Sequence, residues 1–216
     1  MKRLLAAAAV SMLLVAQPAR AADTFPDWRT FRDVSNSSFV EPGGARVLQL
    51  SIVVNAPPRA VWEAFTTSEG FRTWAVPVAW VDFRVGGVME SSYQPTARAG
   101  DAENIKNQIV SYVPGRLLSI RNIQTPSGLK HRELFGQVVQ TIEFEDVGAG
   151  RTRVTMTGVG WGAGEGFDYL YRHFEWGNAY SLAELRKRFD VGPVDWAKVF
   201  ERQKAAAASA VVQGGN

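Results

Sequence analysis

The sequence predicts an α+β fold in which one curved antiparallel sheet wraps around a long α-helix near the C-terminus. Strand-like alternation runs from residue 78 to residue 161, and its connections are too short to hold the crossover helix of a parallel sheet. Apolar residues then recur every three or four positions from Gly166 to Phe189, which indicates one long helix with a single apolar stripe. Because sheet and helix each have one apolar face to cover, we expect them to pack on each other.

The chain before residue 78 predicts an extended lead-in with one short strand over residues 22–45, followed by one long strand and two short helices. Apolar and polar residues alternate from Arg46 to Asn55, which is the period of a strand with one buried face. The Pro57-Pro58 pair suits the first turn of a helix, and Thr67 or Ser68 can cap a second short helix that ends near Trp74. The two short helices therefore lie between the first two strands.

Three hairpins follow, and each is marked by a glycine-containing turn. The first covers Val78 to Tyr93 and turns at Gly86-Gly87; the second joins Asn104–Val113 to Arg116–Gln124 through Pro114-Gly115; the third joins Phe135–Glu145 to Thr152–Val159. Successive hairpins of this kind predict an antiparallel meander of six strands.

The long helix has a defined stripe and a defined end. The stripe consists of Phe167, Leu170, Tyr171, Phe174, Asn178, Leu182, Leu185 and Phe189. The sequence Asp190-Val191-Gly192-Pro193 stops the helix, because glycine and proline are favoured just past a helix terminus. A short tail helix is expected within Val194 to Ala208, around Trp196 and Phe200.

The N-terminus has the pattern of a secretory signal. Lys2 and Arg3 precede an apolar run from Leu4 to Ala16, and Ala19-Arg20-Ala21 supplies the small residues that a signal peptidase reads. The run is too short to span a membrane. We therefore expect a periplasmic or secreted protein cleaved after Ala21, organised as an N-terminal extension (22–45), one domain (46–192) and a partly helical tail (193–216).

The net charge and the cysteine and histidine content exclude several classes of function. Removing Lys2, Arg3 and Arg20 from 24 basic residues leaves 21, which equals the number of acidic residues. A neutral mature domain gives no electrostatic reason to expect nucleic acid or an anionic membrane as partner. The chain has no cysteine and two histidines, so we expect no disulfide, no metal site and no cofactor.

Five motifs in order resemble a known superfamily. They are Val54-Asn55-Ala56-Pro57 with Val61-Trp62 after it, Phe71 to Trp74, Asp82 to Gly87, Pro114 to Leu117, and the closing aromatic-rich helix. From Arg46 to Phe189 the chain resembles the START and birch-pollen-allergen-like proteins, also called SRPBCC. Within that superfamily it is most similar to the branch named after the activator of the heat-shock protein 90 ATPase.

The resemblance implies a helix-grip fold with a cavity between the sheet and the last helix. Across the superfamily this cavity holds lipids, sterols, polyketides or other apolar molecules, and it sometimes transforms them. The family is mostly cytosolic, whereas this chain has the pattern of an exported protein. Direct stimulation of a cytosolic chaperone is therefore not expected.

A ligand-binding set follows from strand alternation and from the aromatic residues. If Val88 and Glu90 point outward, then Met89, Ser91 and Tyr93 point inward, with Trp80 or Phe83 on the partner strand facing the same space. The full set is Trp74, Trp80, Phe83, Met89, Tyr93, Arg121, Trp161, Tyr169 and Phe174. The competing interpretation is that the aromatic residues fill an ordinary core and that Arg121 is an exposed strand arginine.

Two other functions stay open beside a non-catalytic binding protein. An enzyme of the cyclase, hydrolase or lyase type would use His173, Glu175 or Tyr169 as acid or base. An interaction module would present an exposed apolar edge or helix face to another protein.

One glycine-rich motif resembles a dinucleotide-binding motif, but the elements around it argue against that function. Gly158, Gly160 and Gly162 match a loose dinucleotide pattern, but no parallel strand follows the helix. We expect these glycines to let the chain turn into the helix and to let Trp161 reach across.

Overall fold

The computed structural model describes residues 25–213, with side chains described through residue 206. The predicted signal peptide, residues 1–21, lies outside the described residues. In chain order the elements are a 3-10 turn (Trp28–Thr30), β1 (Ser35–Asn36), β2 (Phe39–Val40), β3 (Arg46–Val54), α1 (Pro58–Thr66), α2 (Ser68–Arg72), β4 (Val78–Val81), β5 (Val88–Ser92), β6 (Ile105–Val113), β7 (Leu117–Gln124), α3 (Arg132–Phe135), β8 (Val139–Asp146), β9 (Thr152–Trp161), α4 (Glu165–Asp190) and α5 (Trp196–Gln213).

All strands of the described residues belong to one antiparallel sheet. Its order is β1-β3-β9-β8-β7-β6-β5-β4, and β2 also pairs with β3. The six strands from β4 to β9 are neighbours in the order of the chain, so the predicted meander is confirmed. The first long strand pairs with the last, which completes the sheet around α4 and confirms the predicted α+β helix-grip fold.

The face of the sheet that meets α4 is called the inner face here. Leu50, Met156, Ile142 and Leu118 mark it, because they lie opposite one another on β3, β9, β8 and β7 and all four are buried. Alternate residues such as Thr155 and Glu143 point to the outer face. The inner face therefore carries the core.

Helix α4 covers only part of the inner face. It packs mainly on β3 and to a smaller extent on β9. Its buried side chains are Phe167, Leu170, Asn178, Ala179, Leu182 and Leu185. Five of the eight residues of the predicted stripe are among them, whereas Tyr171, Phe174 and Phe189 are half-buried. The strands beyond β8 therefore extend past the helix.

The short helices form where the sequence predicts them. Pro58 opens α1, where its missing N–H removes no helical hydrogen bond. Thr67 caps α2 by accepting a hydrogen bond from Gly70 N at 2.9 Å. Helix α1 packs against β8, and α2 packs against β4.

The structure corrects one strand. The predicted strand Phe135–Glu145 begins at Val139 instead, and the short helix α3 ends at Phe135. The reason is that Phe135 stacks on Phe174 of α4, with ring centroids 4.0 Å apart and planes 10° apart. Packing against α4 buries Phe135 away from the sheet.

Residues 25–40 form a strap that crosses α4. Its strands β1 and β2 pair with β3, which is one strand more than the sequence predicts. Phe31 packs against Trp176 and Tyr180 of α4, with centroid distances of 6.3 and 6.2 Å. Asp33 pairs with Arg186 at 3.3 Å. The strap therefore covers much of α4 that the sheet leaves exposed.

The C-terminal tail contacts the rest of the domain through its first residues. Val194 N donates to Thr73 O at 2.9 Å, and Trp196 Nε1 donates to Arg72 O. Helix α5 then runs to Gln213, further than the predicted end at Ala208. None of the helices within residues 25–213 combines the length and apolar character that spanning a bilayer requires.

Candidate functional site

Aromatic clusters close both ends of the inner face. At one end Trp62 of α1 packs edge-on against Phe83 and Phe144, with centroid distances of 5.5 and 5.4 Å. At the other end Phe174 lies between Phe135 and Trp161. Aromatic pairs of this kind contribute stability beyond their buried area. The two ends of the inner face are therefore filled by protein.

The middle of the inner face is different, because it carries amide side chains. Asn107 lies between Met89 on β5 and Asn122 on β7, and Gln140 lies beside Ile120. Asn122 is buried, but Asn107, Ile120 and Gln140 are only half-buried. Solvent therefore reaches this part of the inner face, which we call the central groove.

One flank of helix α4, on the side away from the strap, borders the central groove. Glu175 and Arg186 contact the strap, through Asn36 and Asp33 respectively. At 100° per residue, Gly177 and Ser181 lie on the opposite flank, toward the strands that α4 does not cover. A Cβ added to Gly177 would meet no atom of the described chain within 4 Å. The surface of α4 is therefore open at Gly177.

Asn178 joins α4 to the sheet at this point. Its Oδ1 accepts a hydrogen bond from Gln140 Nε2 at 3.1 Å, and the residue is 4% exposed. Its Nδ2 is buried and has no hydrogen-bond partner among the described residues. A buried donor left without a partner costs about 1–3 kcal/mol. One end of the Asn178 amide therefore has no partner in the described chain and is closed off from solvent.

The other amides of the groove are already engaged. Asn122 Nδ2 donates to Asn107 Oδ1 at 3.1 Å and to the backbone oxygens of Gln124 and Lys106. Arg188 Nε is the second buried donor without a partner in the described chain. It lies ten residues further along α4, which is about 15 Å away.

Two tyrosines stand near the rim of the groove. Tyr93 follows β5 and is 58% exposed, and Tyr180 of α4 is 41% exposed. Burial, Glu184 and Tyr93 together raise the pKa of Tyr180, in that order of effect. Burial also raises the pKa of the Tyr93 hydroxyl, although the residue as a whole is more than half exposed. Both hydroxyls therefore keep their protons at neutral pH and can donate hydrogen bonds.

The structure brings some of the predicted ligand residues to the inner face. Met89 is buried on β5 beside Asn107, and Tyr93 lies just beyond the same strand. Phe83 and Phe174 belong to the aromatic clusters at the two ends, so they border the groove. Trp161 is 6% exposed behind Phe174, and its Nε1 donates to Gly158 O at 2.8 Å.

Four of the predicted residues lie elsewhere. Trp80 pairs with Glu90 and Arg121 pairs with Gln108, so both point to the outer face, because residues directly opposite one another share a face. Of the two alternatives expected to face the same space as Met89, Trp80 or Phe83, the register therefore excludes Trp80. Trp74 is buried between α1 and α2, and Tyr169 packs against Phe25 of the strap at 5.1 Å.

The three acid or base candidates are dispersed around α4. Glu175 Oε1 accepts a hydrogen bond from Asn36 on the strap side at 2.9 Å. His173 packs against Phe25, Tyr169 and Phe174, and its burial lowers the pKa of the imidazole. His173 and Tyr169 therefore share a cluster with the strap and do not reach Glu175 as one catalytic group.

The sequence contained a signal for the residues that were missed. Asn178 occupies the apolar stripe of α4, where an asparagine is unusual, and Gly177 lies mid-helix. Glycine is about 0.8–1.0 kcal/mol less favourable than alanine in a helix interior. Neither residue favours a helix, so the presence of each in α4 was a signal in the sequence for a functional position. Gln140, Asn107 and Tyr180 carried no comparable signal.

Two clefts lie outside the central groove. One, of about 580 Å³, is lined by Arg116, Glu143, Glu145 and other residues near the start of α1. The other, of about 310 Å³, lies between the strap and the end of α4. None of the predicted ligand residues lines either cleft. Within residues 25–213 no group of three or more histidine or acidic side chains is placed to hold a metal ion.

The fold and the groove define a helix-grip protein of the SRPBCC type. The model of one family, described as activator of Hsp90 ATPase homolog 1-like protein, matches residues 55–190. The chain belongs to that family, which confirms the resemblance drawn from its motifs. Among curated proteins, none matches the sequence.

Solved structures show the same fold at low sequence identity. The Aha1 dimer from Colwellia psychrerythraea is 17% identical, with a TM-score of 0.52, over 68% of this chain and 97% of that one. CalU16 from Micromonospora echinospora is 18% identical, with a TM-score of 0.50, over 83% and 96%. Protein MLL2253 from Mesorhizobium loti is 18% identical, with a TM-score of 0.52, over 69% and 100%. Identities this low establish the fold alone.

Proposed function

We propose that this chain is an exported, non-catalytic binding protein that holds a small hydrophobic or amphipathic molecule in the central groove. The observation that carries the proposal is the part of the inner face beyond α4, where Asn107, Ile120 and Gln140 are only half-buried, together with the open position at Gly177 on the flank of α4. A glycine there is not required by packing, because an added Cβ would touch no described atom. Space kept open at a cost to the helix favours a ligand.

The lining of the groove suits an amphipathic molecule. Met89 and Ile120 supply apolar surface, and Gln140 and Asn178 supply polar atoms between them. Small-molecule sites are mostly apolar with a few well-placed polar groups. The family match supports the same class of function, since it identifies an SRPBCC-type binding or accessory domain.

Acid–base catalysis has less support. The polar groups in the groove are mainly amides, which neither give nor take protons near neutral pH. Glu175 is held by Asn36, and His173 is packed under Phe25 of the strap. The enzyme alternative would need a titratable pair facing the groove, and the arrangement of these residues favours binding.

Export is part of the proposal and has its own test. It is supported by Lys2, Arg3, the apolar run that follows them, and the Ala19-Arg20-Ala21 site. N-terminal sequencing of protein made in its own host is expected to begin at Ala22. A mature chain that begins at Met1 and stays with the cytosolic fraction would contradict export.

Native mass spectrometry tests ligand binding. Wild-type protein purified from its own host is expected to carry a bound mass that Gly177→Leu lacks, because leucine would fill the groove. Gly128→Leu is the matched control, since an added Cβ at Gly128 also meets no described atom within 4 Å but lies in a loop. Repeated absence of any ligand, with no thermal shift across a library of lipids and aromatic compounds, would refute the proposal.

A further inference from the structure

Both histidines of the chain lie against the same tyrosine. The His131 ring meets Tyr169 of α4 edge-on at a centroid distance of 5.5 Å, and the His173 ring stacks on Tyr169 at 6.1 Å. His131 also packs on the start of α4, since a Cβ added to Gly166 would lie 3.2 Å from its Nδ1. The loop before α3 and helix α4 therefore bring the two imidazoles into one cluster.

The start of the strap covers this cluster. Phe25 lies edge-on to Tyr169 at 5.1 Å and to His173 at 6.2 Å. Further along, the strap is held by Phe31, by an ion pair to α4 and by strand pairing with β3. Residues 25–27 are therefore the part of the strap that packs on a histidine, and the remaining contacts hold the rest of it in place.

Positive charges already lie over the aromatic rings of the cluster. Lys130 Nζ lies over the Tyr169 ring at 5.4 Å, and the Arg172 guanidinium lies over the Phe25 ring at 5.5 Å. The face of an aromatic ring attracts a cation, so these two side chains occupy positions that would otherwise stabilise a protonated imidazole. A proton on either histidine therefore adds a cation beside two existing ones.

The carboxylates on the surrounding elements are engaged or exposed. Asp168 of α4 pairs with Arg46 at 2.6 Å, and Asp27 of the strap pairs with Arg29 at 3.3 Å. The other charged groups beside the two histidines on α3 and at the start of α4 are exposed to solvent, which screens them: Arg132, Glu133 and Glu165. Within residues 25–206 no ion pair involves either histidine. Protonation of the cluster is therefore not neutralised by a neighbouring acid.

We propose that the start of the strap, residues 25–27, is released from α4 when His173 and His131 take up protons. Two imidazolium cations beside Lys130 and Arg172 repel them and lose hydration, and moving Phe25 away returns the imidazoles to water. Release leaves β1 and β2 paired with β3, and it does not depend on ligand binding.

The sign of the pH dependence follows from burial. Packing lowers the pKa of His173 below its ordinary value, because the charged imidazole is desolvated. The packed strap therefore favours the neutral ring, and its stability is complete above the ordinary histidine pKa. That stability is lost as the pH falls through the ordinary value toward the lowered one.

A single spin label measures the release, because the chain has no cysteine of its own. Pro26→Cys places the label at an exposed position beside Phe25, and Val40→Cys places it on β2 as the matched control. Electron paramagnetic resonance of the mature chain is expected to show more mobile label at position 26 as the pH falls from about 7.5 to about 5. The ratio of mobile to immobile label should rise about tenfold for each unit by which packing lowers the histidine pKa.

Histidine variants assign the effect to the cluster. In the Pro26→Cys background, His173→Gln and His131→Gln should each reduce the rise in mobile label, because glutamine is polar but does not titrate. The double variant should abolish the rise. A rise that persists in the double variant would overturn the inference, since another group would then drive the release.

The control label separates release of the strap from loosening of the whole domain. At position 40 the ratio of mobile to immobile label is expected to stay constant over the same pH range, because β2 stays paired with β3. An equal rise at both positions would overturn the inference, and so would a constant ratio at position 26.

Discussion

Trp161 folds back onto Gly158 at the end of β9. Its Nε1 donates to Gly158 O at 2.8 Å, and a Cβ added to Gly158 would lie 3.1 Å from the indole ring. Glycine at position 158 thus allows the close approach of Trp161, whose indole N–H donates to the Gly158 carbonyl. The glycines that resemble a dinucleotide motif therefore have a structural role.

Gly158→Ala should lower stability, and Gly177→Ala should raise it. The first places a methyl group against a buried ring, and overpacking of this kind costs about 1–3 kcal/mol. The second adds a methyl to open space in a helix and should gain about 0.8–1.0 kcal/mol. Urea unfolding followed by circular dichroism measures both, and shifts of the same sign would contradict the packing around either glycine.

Trp74→Phe should destabilise the domain without affecting ligand binding. Trp74 Nε1 donates to Ala64 O at 2.9 Å in a buried site. Ala64 lies in the last turn of α1, where carbonyls lack helical partners. Losing that bond should cost about 1–3 kcal/mol in urea unfolding. An unchanged midpoint, or a loss of ligand affinity in calorimetry, would show that Trp74 belongs to the site after all.

His173 should make the fold less stable in acid. Burial lowers the pKa of His173 in the folded protein, so the unfolded chain takes up a proton at a higher pH than the folded chain does. Stability contributed by the neutral imidazole is therefore lost as the pH falls from neutral through the ordinary histidine range toward the lower folded value. His173→Gln should flatten this part of the pH profile of the unfolding free energy.

A second variant isolates the cause of the lowered pKa. Phe25 covers His173 edge-on at 6.2 Å, so Phe25→Ala should expose the imidazole and return its pKa toward the ordinary value. Titration of the His173 ring by NMR measures the shift directly. A lower pKa in Phe25→Ala than in the wild type would contradict desolvation as the cause.

Phe31→Ala should loosen the strap. Phe31 packs against Trp176 and Tyr180 of α4, and it is half-buried. Truncating a partly buried aromatic side chain should cost about 1–2 kcal/mol and speed proteolysis within residues 25–40. Phe39→Ala, at a side chain that is 49% exposed, is the control and should change stability by less than about 0.5 kcal/mol.

Local patterns were sufficient for most of the elements. The two-residue period in Leu48, Leu50 and Ile52 identified β3, and the stripe of α4 identified a helix that runs from Glu165 to Asp190. These patterns depend on neighbours within a few residues, so they can be read without the fold. Phe135 misled the prediction because its burial partner, Phe174, is distant in sequence.

The face of the sheet on which each side chain of the first hairpin lies was harder to predict. Trp80 and Met89 both belong to the first hairpin, but the register pairs Trp80 with Glu90 and Val81 with Met89. The connection runs from Asp82 to Gly87 and is longer than a two-residue turn. A shift of one residue moves every side chain of a strand to the other face. The sequence could not set that register alone.

By itself, the sequence determined the α+β class, the order of the elements and the family, because periodicity and motif order are properties of the linear chain. Only the tertiary structure decided which part of the inner face α4 leaves uncovered. Helix α4 packs on β3 and β9 and leaves the strands beyond β8 uncovered, so Gly177 borders open space and Asn178 keeps a free donor. Both properties depend on which half of the sheet the helix covers, and that is a property of the folded chain.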